Sequence, residues 1–130
     1  MSLSQEIEEN NAGDISEKSE MTQQPVNVED AVICRNVVDR TPVEVIDVVP
    51  SDIEKVYCFT KIVGATPDSE VVHNWYYNGN LVGSVNLFVG STNWRTYSSK
   101  TMLPDYTGDW KVEVLSKGGE LLKQIMFVVQ

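Results

Sequence analysis

Short stretches of β-forming residues, each closed by a turn signal, follow one another from Val28 to the end of the chain. Within residues 55–63, small or apolar side chains alternate strictly with charged and aromatic ones, which is the period of a strand with one buried face. The pair Asn78-Gly79 separates two such stretches and is the strongest short signal for a hairpin. We predict seven to eight strands and no helix, with strand segments at residues 30–38, 43–49, 55–63, 71–77, 80–89, 94–100, 108–115 and 120–129.

This spacing of strands and turns is typical of an all-β sandwich or a small barrel. The end of the chain favours an immunoglobulin-like β-sandwich of about seven to eight antiparallel strands, because Tyr106 precedes the penultimate strand in the position of a corner tyrosine. Ile125, Phe127 and Val129 share one face of the last strand and are expected in the core. The cysteine pairing of immunoglobulin domains is missing, so the topology is assigned by analogy.

Acidic residues are concentrated at the N-terminus. The chain has 130 residues and a net charge of −9, and residues 1–30 hold eight acidic side chains and one basic one. Residues 1–27 contain no aromatic side chain and cannot bury enough apolar area to offset their chain entropy. We therefore expect a disordered acidic tail or linker over residues 1–27 and a folded domain over residues 28–130.

Composition excludes several classes of protein. A sequence pI of about 4.4 argues against nucleic acid as a partner, since phosphate binding needs a basic surface. No apolar run is long enough to span a membrane, and the start of the chain lacks the basic and apolar regions of a secretory signal. One histidine and two cysteines are too few for a structural zinc site, and no cofactor motif is present. We expect neither a metal nor a cofactor.

Catalysis is weakly supported. His73 is the only histidine, and no nucleophile motif surrounds a serine or cysteine. A hydrolase or isomerase would need His73 at the floor of a pocket with a carboxylate at hydrogen-bond distance. Cys34 and Cys58 lie on successive predicted strands; they form either a disulfide or, as we favour, two small buried apolar residues.

The best functional lead is a group of aromatic and polar residues on the central strands. The period of two places Arg95, Tyr97 and Ser99 on one face of a strand, opposite Trp94, Thr96, Ser98 and Lys100. Aromatic rings beside such donors suit sugar or peptide recognition, although Arg95 could instead pair with Asp105 or Asp109. We expect Trp75 and Trp110 in the core. The proposed contact surface comprises Trp94, Arg95, Tyr97, Ser98 and Lys100, with His73 and Tyr77 as neighbours.

Three motifs stand in order along the chain: HNWYYNG at residues 73–79, WRTYSSK at residues 94–100 and GDWKVEV at residues 108–114. Upstream of them come Cys34-Arg35, the run Arg40-Thr41-Pro42 and KVYCF at residues 55–59. Together they resemble the bacterial family of domains of unknown function DUF2914, over about residues 30–130. The resemblance implies a small β-rich domain. Such domains often lie at the end of longer bacterial proteins, some of which carry membrane segments. It implies no activity and no catalytic residues.

The sequence therefore favours a non-catalytic binding or protein-interaction module of a bacterial protein. One alternative is a carbohydrate-binding module of the cell envelope, which would need an exposed aromatic platform. Another is a structural spacer or assembly domain that pairs through an exposed edge strand. The ligand, the oligomeric state and the compartment stay open, with the cell envelope or periplasm as one possibility.

Overall fold

Nine strands make up the fold of the described residues. The computed structural model describes residues 26–66 and 68–130, so the predicted tail at residues 1–27 lies almost entirely outside them. No helix occurs in these two ranges. The strands are β1 (Asn27–Val38), β2 (Thr41–Val45), β3 (Val48–Val49), β4 (Lys55–Val63), β5 (Ser69–Tyr77), β6 (Asn80–Val89), β7 (Asn93–Thr101), β8 (Gly108–Ser116) and β9 (Leu121–Val129).

The strands form two sheets that pack as a sandwich. One sheet has the order β2-β1-β4-β7 and the other the order β3-β9-β8-β5-β6. Neighbours are antiparallel except for β3, which runs parallel to the end of β9. Among the long strands, the chain therefore changes sheet between β4 and β5, between β6 and β7 and between β7 and β8. Such crossings between two sheets are typical of immunoglobulin-like domains. The predicted all-β sandwich is confirmed.

The predicted strand at residues 43–49 is wrong as a single element. Its first part is β2 in the four-stranded sheet, and its last two residues are β3 in the other sheet. Asp47 lies at the crossing, where its carbonyl accepts a hydrogen bond from Val128 N at 3.1 Å. Pro42 lies within β2, an edge strand, where its missing N–H removes no necessary ladder bond.

Aromatic rings fill the centre of the sandwich. Trp75 and Trp110 are buried, as predicted, and both contact Phe127. The Phe127 ring meets Trp75 edge-on at 6.3 Å and stacks on Trp110 at 5.8 Å. The alternation predicted for β4 is also confirmed, since its inward residues are fully buried: Val56, Cys58, Thr60 and Ile62.

Two hairpin turns use left-handed backbone conformations. Asn78 and Gly79 have φ values of 47° and 86°, as in the type I′ turn that the sequence predicts. Asp39 and Arg40, between β1 and β2, have φ values of 51° and 57° without a glycine. Because such angles are unfavourable for residues with a side chain, contacts elsewhere must hold this second turn in place.

Tyr77, and not Tyr106 as predicted, places its hydroxyl against the loop before β8. The Tyr77 hydroxyl shares its proton between the carbonyls of Asp105, at 3.1 Å, and Thr107, at 2.8 Å. Tyr106 instead accepts a hydrogen bond on its carbonyl from Trp110 Nε1 at 2.9 Å, and its ring packs against Trp110 at 5.1 Å. Tyr77 therefore ties the loop before β8 to the sandwich.

Cys34 and Cys58 are both free and buried, as the favoured interpretation predicted. Cys58 faces the core beside Ile33, its register partner. Cys34 pairs with Tyr57 in the register and so lies on the opposite face of the sheet. Burial raises the pKa of both thiols, and the proximity of Cys34 raises the pKa of Cys58 further. Both side chains therefore stay in the neutral thiol form.

Candidate functional site

Strand β7 places the predicted contact residues on two opposite faces. Trp94, Ser98 and Lys100 point between the sheets, whereas Arg95 and Tyr97 point away from them. Ser98 is 4% exposed and Tyr97 is 44% exposed, although the two residues are adjacent. This follows from the alternation of side chains along a strand. The predicted surface is therefore divided, and its members cannot all touch one ligand.

Trp94 and Lys100 point inward near the two ends of β7, and each contacts the other sheet. Half-buried Trp94 packs beside the buried cluster at one end of the core and meets Phe88 edge-on at 5.8 Å. Lys100 Nζ crosses to the other sheet and donates to the carbonyl of Val82 at 3.0 Å. Both residues join the sheets, and neither forms a flat exposed platform.

His73 and Ser98 lie in the core, which corrects their expected place on the contact surface. His73 Nδ1 is 2.6 Å from Ser98 Oγ, and His73 Nε2 is 3.3 Å from Thr60 Oγ1. Trp75 Nε1 donates to the same Ser98 oxygen at 3.1 Å. The hydroxyl of Thr60 donates to the carbonyl of Thr96 at 3.5 Å. This buried network links β5 of one sheet to β4 and β7 of the other.

Two groups in this network can act in one way only, and they set the other bonds. The Trp75 indole can only donate, so the Ser98 oxygen accepts there. The proton of Thr60 goes to the Thr96 carbonyl, so Thr60 accepts from His73 Nε2–H. Burial lowers the pKa of His73 from 6.5 to about 4, so the ring is neutral at neutral pH. Because Nε2 carries the proton, Nδ1 accepts from the Ser98 hydroxyl.

The geometry does not provide the pair that the catalytic hypothesis needs. Both ring nitrogens of His73 contact hydroxyl groups rather than a carboxylate, and the ring is fully buried. Its two hydrogen-bond partners are Thr60 and Ser98, and each of these is committed to a further partner. His73 is therefore placed to join the sheets.

The outward side of the four-stranded sheet carries rows of side chains that follow the strand register. Lys61 lies between Asp30 on β1 and Arg95 on β7. The next row along the strands has Phe59 at its centre and Tyr97 on β7, and the row after that has Tyr57 at its centre. We call this surface the tyrosine face, after the rings of Tyr57 and Tyr97, which lie 5.9 Å apart at an angle of 53°.

The β1–β2 hairpin folds over one part of the tyrosine face. β1 pairs with β4 only as far as Cys34, and its remaining residues pair with β2 alone. The hairpin tip reaches β7, where the Arg40 carbonyl accepts a hydrogen bond from Arg95 Nη1 at 3.2 Å. The Arg40 guanidinium lies 5.2 Å from the centre of the Trp94 ring. These contacts hold the strained turn, and they replace the predicted pairing of Arg95 with Asp105 or Asp109.

A cavity of about 390 Å³ lies beside the hairpin tip, and we call it the hairpin cleft. Within it, Lys61 Nζ forms an ion pair with Glu29 at 3.3 Å. Arg95 uses one of its donors on the hairpin carbonyl, and a guanidinium has five. The cleft is lined by Glu29, Asp30, Thr41, Pro42, Phe59, Lys61 and Arg95.

A second cavity of about 360 Å³ lies at the other end of the tyrosine face, and Tyr57 is part of its wall. Arg35 lines it and forms an ion pair with Glu44 at 3.0 Å. Lys55 and Glu54 line the same cavity. The two tyrosine rings thus lie between two polar cavities.

Sequence reasoning found Arg95 and Tyr97 but missed the residues of β4 that complete this surface. The alternation of residues 55–63 already placed Tyr57, Phe59 and Lys61 opposite the core face. What was lacking was the register, in which Phe59 pairs with Tyr97 and Lys61 with Arg95. Strand pairing partners are not contained in the pattern of one strand.

Within residues 26–66 and 68–130, no three or more His, Cys, Asp or Glu side chains are grouped so that they could hold a metal ion. None of the described residues belongs to a helix of the length and apolarity needed to cross a membrane.

Comparison with known proteins gives a family for part of the chain. No curated protein matches it. Among solved structures, a Bifidobacterium adolescentis GH3 beta-glucosidase is similar with a TM-score of 0.45 and 8% sequence identity. That similarity covers 82% of this chain and 17% of the glucosidase chain. Strands β1 to β4 lie outside the matched family segment. Residues 68–129, which span β5 to β9, match the family described as "Protein of unknown function (DUF2914)", the family that the motifs of the chain resemble.

Proposed function

We propose that this chain is a non-catalytic binding module whose ligand lies on the tyrosine face. The observation that carries the proposal is the pair of exposed Tyr97 and half-buried Tyr57, which lies between two polar cavities. Tyr97 is 44% exposed, whereas the large rings of Trp75, Trp110 and Phe127 are buried. A large aromatic ring left at the surface beside arginine and lysine donors is typical of recognition surfaces.

The scaffold supports this role because it holds the contact residues rigidly. Nine residue pairs join β4 and β7 in an unbroken register, so Tyr57, Tyr97 and Arg95 keep fixed spacings. Directly behind them, the buried network of His73 and Ser98 fastens β7 to the other sheet. A preorganised surface loses little conformational freedom on binding, which favours affinity.

Two tyrosine variants test the proposal. Arrays of immobilised glycans and peptides are probed with the wild-type chain, with Tyr97→Ala and with Tyr76→Ala. Tyr76 is the matched control, because it lies on the other sheet with a cation, Lys111 Nζ, at 4.8 Å from its ring. We expect Tyr97→Ala to abolish binding that Tyr76→Ala retains. Binding that survives Tyr97→Ala unchanged, or is lost only in Tyr76→Ala, would contradict the proposal.

A further inference from the structure

We infer that the tyrosine face takes an uncharged, polyhydroxylated chain, that is, a neutral oligosaccharide. The inference rests on the proposed function and adds the chemical class of its ligand. It follows from how the charges, the aromatic rings and the cavities are distributed along β4 and β7.

Two of the cations on the tyrosine face already have carboxylate partners. Lys61 is paired with Glu29 at 3.3 Å, and Arg35 is paired with Glu44 at 3.0 Å. A charged ligand would have to compete with these partners for either the cation or the carboxylate. Sugar hydroxyls both donate and accept, so they can bond to the free donors and acceptors of such pairs without separating them.

The two cavities repeat this mixture of charges. Arg95 shares the hairpin cleft with Asp30, and Lys55 shares the second cavity with Glu54. The hairpin cleft has two cations and two carboxylates. The second cavity has the same number when Glu44, the ion-pair partner of Arg35, is counted with it. Neither end therefore attracts a polyanion or a polycation in particular. The net charge of −9 over the whole chain opposes an acidic polymer further.

The aromatic rings provide the apolar part of the contact. The C–H groups on one side of a pyranose ring form a flat apolar patch, which packs on an aromatic ring while the hydroxyls at its rim stay hydrogen-bonded. Tyr57 and Tyr97, whose rings are tilted by 53° to each other, each offer a ring for such a contact, and each ring carries a hydroxyl. Ser99 is exposed beside Tyr57 in the register and can bond to a ring hydroxyl.

The length of the surface indicates a chain of sugars. Along β7, Arg95 and Thr101 are six residues apart, which corresponds to about 20 Å at roughly 3.3 Å per residue. A single sugar covers only a part of this distance. The affinity should therefore rise from disaccharide to hexasaccharide, because longer chains reach from the aromatic rings into the cavities.

Calorimetric titration with hexasaccharides of different charge tests the inference. The neutral probes are the hexamers of chitin, cellulose, starch and xylan. The charged probes are the chitosan hexamer with its amines protonated and the polygalacturonate hexamer; an extended peptide library completes the set. The wild-type chain, Tyr97→Ala and Tyr76→Ala are compared, after circular dichroism shows that each is folded.

We expect at least one neutral hexamer to bind more tightly than both charged hexamers, with an affinity about tenfold or more lower in Tyr97→Ala and unchanged in Tyr76→Ala. If a charged hexamer or a peptide binds best and is lost in Tyr97→Ala, the binding module stands and the neutral-sugar inference is overturned. If a neutral hexamer binds equally to Tyr97→Ala, the inference is wrong for this face. If no probe depends on Tyr97, both proposals are overturned.

Discussion

The two faces of β7 both carry aromatic, hydroxyl and basic side chains, but these side chains have different roles. On the inner face, Ser98 is buried and joins Trp75 and His73 in a network that leaves no donor without a partner. On the outer face, Tyr97 and Arg95 are exposed, and Arg95 uses only a backbone carbonyl of the hairpin tip. Polar residues on a strand therefore do not mark the exposed face by themselves. The two faces of β7 differ in whether every polar side-chain atom already has a hydrogen-bond partner within the protein.

This comparison assigns stability to one face and recognition to the other. Substitutions on the inner face should lower the free energy of unfolding, whereas those on the outer face should leave it nearly unchanged and affect binding. The four predictions below run from the largest expected effect to the smallest.

Trp75→Ala should lower the free energy of unfolding by about 3–5 kcal/mol. The substitution removes a fully buried ring from the centre of the sandwich and takes away the donor to Ser98. Urea denaturation followed by circular dichroism measures the change. A loss of less than about 1 kcal/mol would show that Trp75 is not part of the packed core.

Acid should destabilise the fold through His73. The pKa of this histidine is 6.5 when unfolded and about 4 when folded, so the unfolded chain binds the extra proton between these values. Stability is therefore full above about pH 6.5 and falls as the pH drops toward 4, by about 3 kcal/mol in total.

The only histidine is His73, so His73→Gln is the control for this pH dependence. The variant should be less stable at neutral pH and should lose most of the slope between pH 6.5 and 4.5. Urea midpoints measured across this range give both slopes. An unchanged slope in the variant would assign the effect to carboxyl groups instead.

Ser98→Ala and Ser99→Ala compare the two faces at adjacent positions. Removing the Ser98 hydroxyl leaves the Trp75 indole and His73 Nδ1 without their partner, which should cost about 1–3 kcal/mol. Ser99 is exposed, so its substitution should change stability by about 0.5 kcal/mol or less. Equal effects of the two variants would contradict the assignment of the faces.

Arg95→Ala should have the smallest effect on stability, about 0.5 kcal/mol or less, because its side chain is exposed. It removes the hydrogen bond to the Arg40 carbonyl, so the hairpin tip should exchange its amide protons faster while the core amides keep their protection. Hydrogen exchange followed by mass spectrometry measures both. Faster exchange throughout the sandwich would mean that Arg95 supports the fold.

Much of the fold could be predicted because its signals are local. The ends of β4 and β6, the Asn78-Gly79 turn and the buried positions of Trp75 and Trp110 follow from alternation and turn residues within a few positions. The division of residues 43–49 between two sheets could not be predicted, since both halves have the same β-rich composition. The sequence of residues 43–49 does not indicate which strand each half pairs with.

The candidate site was less predictable than the fold for the same reason. Alternation correctly separated Tyr97 from Ser98, but the inner face of β7 carries the more polar side chains at its centre. Ser98 is inward because His73 and Trp75 on another sheet supply its partners. The hairpin cleft depends on the β1–β2 turn reaching Arg95 from 55 positions away along the chain, which no local pattern contains.

Chemical-shift mapping of the ¹⁵N-labelled chain during titration with a neutral hexasaccharide tests the central claim most directly. The division between the faces predicts that the largest changes fall on Arg95, Tyr97, Ser99 and the facing residues Tyr57 to Lys61 of β4. Residues around Tyr76 and Lys111, on the central strands β5 and β8 of the other sheet, should show no change in chemical shift. Changes concentrated on that second sheet, or a titration that moves no residue of β4 and β7, would contradict the account.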